Sequence, residues 1–241
     1  MLAELRKAFG HVKYFDEPHI YIDTRTGHQL MSVTTWLKQF SQEFDTQYWS
    51  NYKANQRGIT QEEILREWEV ARVYGQLRGT RVHLLAEHLS NNKEFVYPIP
   101  IEIVQMDLVE KFNTEIGLLK PQIEAFIENE NFIVIKNELI LANHSIAGQC
   151  DLLAEKDGRI ILYDFKTDLS IDFTTKYGTL KKPFQDLPAT NFSKYTLQLS
   201  TYKRLLETAT SIKVDEMYIV HFNVKNDSYK MYKINDYKWH Q

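Results

Sequence analysis

The chain has 241 residues, 43% hydrophobic and 25% charged, which describes a folded protein with room for a substantial core and excludes a disordered or low-complexity chain. A net charge of −3 argues against nucleic acid gripped over a broad basic surface, but not against a local groove. One cysteine, Cys150, excludes an internal disulfide framework and any four-cysteine zinc or iron–sulfur site, and no apolar run approaches the ~20 residues that span a bilayer.

The opening "MLAELRKAFG" has neither a signal peptide's apolar stretch nor an Arg- and Ser-rich transit segment, so a cytoplasmic location is expected. "KYFDEPHIYIDTRTGHQLMSVTTWL" predicts a hairpin turning near Thr24–Gly27, then a helix from about Ser32. Thr60 and Glu63 form a capping box for "TQEEILREWEVARVYG", and Gly75 and Gly79 are expected to break the pattern before a second helix, "TRVHLLAEHLS". From about Pro98 to Glu130 the chain is mostly helical, with an interruption expected at Pro121. From Asn131 three strands follow, "NFIVIKNELIL", "GQCDLLAE" and "RIILYDFKT", joined by tight turns at Asn143–His144 and Asp157–Gly158. A lysine-containing loop, a helix "SKYTLQLSTYKRLLETA" and two final strands complete a mixed sheet flanked by helices. With no repeat or Gly/Ser linker, 1–241 reads as a single domain, with a hairpin and mainly helical part over 1–130 and a sheet core over 131–241.

The Asp157–Gly158 hairpin fixes a register. A two-residue turn sets Lys156 against Arg159, Asp151 against Asp164 and Gln149 against Lys166, with all four of the latter on one face. The other face carries Cys150, Leu152 and Ala154 against Ile161, Tyr163 and Phe165. A tight turn at Asn143–His144 would bring Glu138 opposite Gln149, on the charged face. Facing carboxylates repel, and a divalent cation such as Mg²⁺ resolves the repulsion, with Lys166 one row along to hold a phosphate oxygen or an attacking water. The alternative is a solvated hairpin in which Lys166 bridges to a carboxylate.

"GQCDLL" followed by "YDFKT" resembles the core signature of the PD-(D/E)XK nuclease superfamily, with Asp151, Asp164 and Lys166 in its Asp, Asp-x-Lys positions. "GTRVHLLAE" resembles the Gly-x-x-x-His motif of RecB-type nucleases, and "YTLQLSTYKRLL" their Gln-x-x-x-Tyr motif. "HIYIDTRTGHQLMSVTTWL" is similar to the opening of phage- and mitochondrial-type single-strand DNA exonucleases, so a phage or a cellular gene fits. The resemblance implies a restriction-endonuclease-like α/β fold and a Mg²⁺- or Mn²⁺-dependent deoxyribonuclease, an exonuclease acting on DNA ends, with a preference for single strands. It makes His83, Asp151, Asp164 and the Phe165 carbonyl metal ligands, and Glu138 an added acidic residue before the first core Asp. Glu87, four residues after His83 on one helix face, is a further candidate ligand. Gln198 and Tyr202 would lie beside the site, touching substrate or supporting the reacting groups, with Tyr195 on the same stripe. Lys176, Lys181 and Lys182, interleaved with Tyr177 and Phe184, suit phosphates and stacked bases, or a solvated loop.

The cysteines of iron–sulfur relatives are missing, so no cluster is implied, and no phosphate loop for a helicase is present, so a helicase or recombination motor would act in trans. His144 and His221 read as structural. An endonuclease on the same hairpin and a non-catalytic nucleic-acid-binding protein are the competing expectations.

Overall fold

The computed structural model describes residues 1–16, 18, 20–93 and 97–239. His19, which opens the exonuclease-like segment, lies outside them. In chain order the elements are α1 (Leu2–Phe9), β1 (Val12–Phe15), β2 (Ile20–Asp23), β3 (His28–Ser32), α2 (Val33–Lys38), α3 (Thr46–Arg57), α4 (Gln61–Ser90), α5 (Ile101–Gln105), α6 (Val109–Glu130), β4 (Ile133–Ala142), β5 (Ile146–Lys156), β6 (Arg159–Lys166), α7 (Asn191–Ala209), β7 (Glu216–His221) and β8 (Lys230–Lys233).

Among the described residues the strands form one open eight-stranded sheet in the order β1-β2-β3-β5-β6-β7-β8, with β4 on the other edge of β5. The sheet is mixed: β3 runs parallel to β5 and β6 parallel to β7, and the remaining pairs are antiparallel. Alternation along the strands sends side chains to two cores. Leu153, Leu162 and Ile219 pack with α1, α2 and α7, while Leu152, Ala154, Ile161, Tyr163, Phe165 and Val220 pack with α4 and α6. The molecule is an α/β protein with helices on both faces of the sheet.

The caps form as the sequence predicts. The Ser32 side chain accepts from the Thr35 N–H, and Thr60 with Glu63 makes the full capping box. Asp157 and Gly158 both have positive φ, 53° and 75°, and Lys156 faces Arg159.

Four expectations fail. First, Gly75 and Gly79 break nothing: α4 runs unbroken for 30 residues. Interior glycines cost about 1 kcal/mol each relative to alanine, and the packing of Val82, Leu85 and Ala86 into the core outweighs that. Second, α6 passes through Pro121, its flanks anchored by the buried Leu119, Gln122, Ile123 and Phe126. Third, the β4–β5 connection is longer than a tight turn. Asn143 Oδ1 accepts from the backbone of Ser145 and Ile146, Ala142 pairs with Ala147, and Gln149 therefore sits opposite Ile140 rather than Glu138. Fourth, Cys150 packs with Leu153 and Leu162, not with Leu152 and Ala154. Leu139 pairs with Cys150 and Asn137 with Leu152, but Glu138 and Asp151 between them do not pair, and Glu138 has φ 48°. Across Asp151 the side chains of β5 change faces, with Cys150 in one core and Leu152 in the other.

Gly148 shows how closely α7 approaches. A Cβ there would lie 2.5 Å from Tyr202 Cε1 and 3.1 Å from Val33 Cγ2. Gly148→Ala is expected to lower stability by roughly 1–3 kcal/mol through overpacking, read as a lower urea midpoint. An unchanged midpoint would show that α7 yields freely.

Candidate metal and phosphate site

The site lies where the sheet divides. One edge of β5 is covered by β4. The other is shared by β3, which pairs at Ile146–Ala147, and β6, which pairs from Leu152 to Lys156. Between them, residues 148–151 have no strand partner on that edge. The β5–β6 ladder ends at Leu152–Tyr163, so neither Asp151–Asp164 nor Gln149–Lys166 is a ladder pair. The Phe165 N–H instead donates to Asp151 Oδ2 at 2.5 Å.

Asp151 also faces α4. His83 Nδ1 is 3.3 Å from Asp151 Oδ1, and His83 Nε2 is 3.2 Å from the Phe165 carbonyl oxygen. Both ring nitrogens thus face oxygens, an arrangement suited to the imidazolium. Burial opposes that charge, but Asp151 beside the ring, with Glu138 further off, raises the His83 pKa to about 9. Burial also works against the Asp151 carboxylate, and His83, Lys166 and the Phe165 N–H together still lower its pKa. Glu138 completes the group: one ligand atom each from His83, Glu138 and Asp151 lie within 4.8 Å of one another. Burial, followed by the Asp151 charge, pushes Glu138 up to about 8.

Asp164 forms the adjoining half. It is 1% exposed, contacts Lys166 Nζ through Oδ2, and accepts from Gln198 Nε2 at 3.2 Å through Oδ1. Burial raises its pKa to about 6 against the pull of Lys166, and the Asp151 charge adds to the rise. Burial works against the charge on Lys166, and Asp164 and Asp151 outweigh it, raising its pKa. The ammonium also lies 4.7 Å from the Tyr195 ring centroid, and the Tyr195 hydroxyl donates to Asp168 Oδ2 at 2.6 Å.

His83, Phe165, Lys166, Tyr195 and Gln198 line a cleft of 1140 Å³, walled further out by Arg57, Arg66 and Lys225. Its size suits an extended polymer or a small molecule equally.

The structure thus brings together Asp151, Asp164, Lys166, Glu138, His83 and Phe165. Glu87 is close enough for its charge to raise Glu138 but stands outside the three-residue cluster. Gln198 donates to both Asp164 and Tyr202, and Tyr202 is 2% exposed, so this pair braces Asp164 from below and Tyr202 is out of reach of a nucleic-acid strand. Tyr195 borders the cleft. Lys176 and Lys182 are exposed and Lys181 pairs with Glu43, and none of the three lines the cleft. Phe184, expected beside them as a base-stacking ring, is buried among Trp36, Phe40 and Trp239. His144 is exposed on its turn, and His221 is buried against the Asp168 carbonyl.

Sequence reading missed Asp168, whose backbone carbonyl is held by His221 and Asn223 and whose carboxylate orients Tyr195. It also missed Arg78, which joins Glu115 to the Thr167 carbonyl at the end of β6. Arg78 lies one helical turn before Val82 on α4, and its buried position was hidden once α4 was divided at Gly79.

No protein-family model matches the chain, and no curated protein does. A solved structure described as the crystal structure of SSO0001 is similar to it over 65% of this chain and 66% of that one, less than two thirds of its length, at 18% identity and a TM-score of 0.28.

Because the folded pKa of His83 lies above the ordinary 6.5, its pair with Asp151 stabilises the metal-free protein fully below pH 6.5, and this contribution is lost as pH rises through about 9. Urea unfolding in EDTA is therefore expected to show wild type more stable than His83→Gln at pH 6, with the gap closing by pH 9.5. A gap that stays constant would contradict the ion pair.

Proposed function

We propose that the chain is a divalent-metal-dependent deoxyribonuclease of the PD-(D/E)XK type with a restriction-endonuclease-like core, an exonuclease acting on DNA ends and preferring single strands. The observation that carries the reading is the juxtaposition of the His83–Glu138–Asp151 cluster with Asp164 and Lys166, beside an open cleft that His83 and Lys166 line. The exonuclease and single-strand parts rest on the motif resemblance. A cytoplasmic location and a helicase or recombination partner in trans belong to the same reading, which calls for no iron–sulfur cluster.

The donor set fits Mg²⁺ or Mn²⁺: the Glu138 and Asp151 carboxylates and the His83 imidazole lie within 4.8 Å of one another, with the Asp164 carboxylate adjoining. Asp151, Glu138 and His83 would hold the ion, with Asp164 and the Phe165 carbonyl beside them. A bound cation supplies Lewis acidity toward a phosphate and lowers the pKa of water. Lys166 contributes a proton-rich ammonium that orients the attacking water and binds a non-bridging phosphate oxygen as negative charge grows. Asp164 holds Lys166 in place, and Gln198 fixes the Asp164 rotamer by donating to Oδ1. The Tyr195 ring shields the other side of the ammonium, where loss of bulk water strengthens its attraction for phosphate. His83 must give up a proton to act as a ligand, and Glu138 must ionise.

The test is degradation of end-labelled linear and of circular DNA, single- and double-stranded, with Mg²⁺ or with EDTA. Metal-dependent loss of linear DNA that spares circles is expected, with Lys166→Ala slower by at least ~100-fold. Cutting of circles would make it an endonuclease, and no cleavage of any substrate would leave a binding protein. Calorimetric Mn²⁺ titration should show an apparent affinity rising at least ~tenfold per unit from pH 6 to pH 8, as one or more protons are displaced. A pH-independent affinity would contradict the ligand set.

A further inference from the structure

Strand β6 ends at Lys166, yet the next three backbone carbonyls are each held by a buried side chain. Arg78 donates to the Thr167 carbonyl, His221 and Asn223 hold that of Asp168, and Asn223 also donates to that of Leu169. Asn223 is 5% exposed, and all its polar groups are engaged. Its backbone exchanges hydrogen bonds with the Gln122 side chain of α6, and its side-chain oxygen accepts from the Lys225 N–H at 2.8 Å. One buried amide therefore fixes the backbone at both Leu169 and Lys225, and both residues line the cleft.

The two residues present different chemistry. Leu169 is 66% exposed, against 36% for Val70, the next most exposed large apolar side chain that lines the cleft. A lone exposed leucine is ordinary on a surface, but here the backbone beneath it is bound by buried donors. Lys225 is exposed, and its ammonium makes no ion pair among the described residues. The cleft as a whole is lined by six lysines and arginines against four aspartates and glutamates, in a chain whose net charge is −3. A fixed apolar contact beside an unpaired cation suits a ligand unit that is apolar in one part and anionic in another, as each nucleotide of a strand is.

Leu169 follows Lys166 by three residues, at most ~10 Å of chain. We propose that Leu169 and Lys225, set in place by Asn223, form a subsite for a nucleotide next to the reacting phosphate. Leu169 packs against its base, and Lys225 binds its phosphate. The subsite rests on reading the cleft as the nuclease site, and it adds two contacts outside the reacting groups.

The test is fluorescence anisotropy of a labelled oligo-dT strand, and of an equally long strand of abasic nucleotides, titrated with protein in EDTA at several salt concentrations so that nothing is cut. Leu169→Ala should weaken oligo-dT binding about fivefold, with the salt dependence and the affinity for the abasic strand unchanged. Lys225→Gln should weaken binding of both strands. It should also lower the slope of log affinity against log salt by about 0.7, the share of one phosphate contact on a single strand. The urea midpoints of both variants should match wild type, because both side chains are exposed. Oligo-dT affinity unchanged in either variant would overturn the subsite. So would an equal loss on both strands from Leu169→Ala, a slope unmoved by Lys225→Gln, or a wild type that binds neither strand. An acidic peptide bound as tightly as oligo-dT would also overturn it. The two readings separate. Binding that depends on Leu169 and Lys225 without metal-dependent cleavage keeps the subsite and removes the nuclease. Metal-dependent cleavage by a wild type whose strand affinity neither variant changes does the reverse.

Discussion

The carboxylate of Asp151 is the constraint on which this site depends. It sits where two strands leave one edge of β5 in opposite directions, and it takes the place of the missing strand partner by accepting the Phe165 N–H. Its other oxygen faces His83, so one side chain ties β5, β6 and α4 together. A hydrogen bond to a charged group contributes about 1.5–3 kcal/mol, and breaking a buried ion pair from one side costs about 3–5 kcal/mol. Burial opposes the charge on Asp151, and its neighbours more than restore it. An acidic residue kept ionised at the division of a sheet, with a second carboxylate pushed toward neutrality beside it, is the arrangement on which the proposed cation site rests.

The surrounding elements are shaped by the same requirement. Helix α4 comes close to the end of β6, where His83 reaches the Phe165 carbonyl. Arg78 fixes that approach by bonding the Thr167 carbonyl. On the opposite face α7 closes down on Gly148 through Tyr202, which sets Gln198 at the right height to hold Asp164. Behind Lys166, a chain of buried polar groups runs from Gln122 through Asn223 to Asp168 and so to Tyr195. Such networks are worth keeping only when their members are satisfied, and these bonds hold the loop after β6 against the sheet.

Local chemistry with a single solution was legible in the sequence. Asp157–Gly158 left one turn type, which fixed Lys156 opposite Arg159, and Ser32 and the Thr60–Glu63 pair marked helix starts because their side chains satisfy specific N–H groups. The side chains of Asp151, Asp164 and Lys166 were found together because strand alternation carries over short distances. What stayed hidden required tertiary knowledge. Glu138 has a positive φ and its carboxylate lies beside Asp151, while Cys150 packs in the core opposite to Leu152, and no local rule asks a glutamate for that conformation. Gly75, Gly79 and Pro121 read as breaks because propensity is local, whereas the packing that overrides them is not. Phe184 looked like a ring on a basic loop, and only the fold shows Trp36, Phe40 and Trp239 waiting to bury it.

Anomalous diffraction from crystals soaked in MnCl₂ tests the central claim most directly, because it locates the cation without relying on activity. The account predicts a manganese peak at coordination distance, about 2.0–2.3 Å, from oxygens of Asp151 and Glu138 and a nitrogen of His83, absent in crystals of Asp151→Asn. Manganese bound only at scattered surface carboxylates, with the His83–Asp151 pair undisturbed, would contradict it.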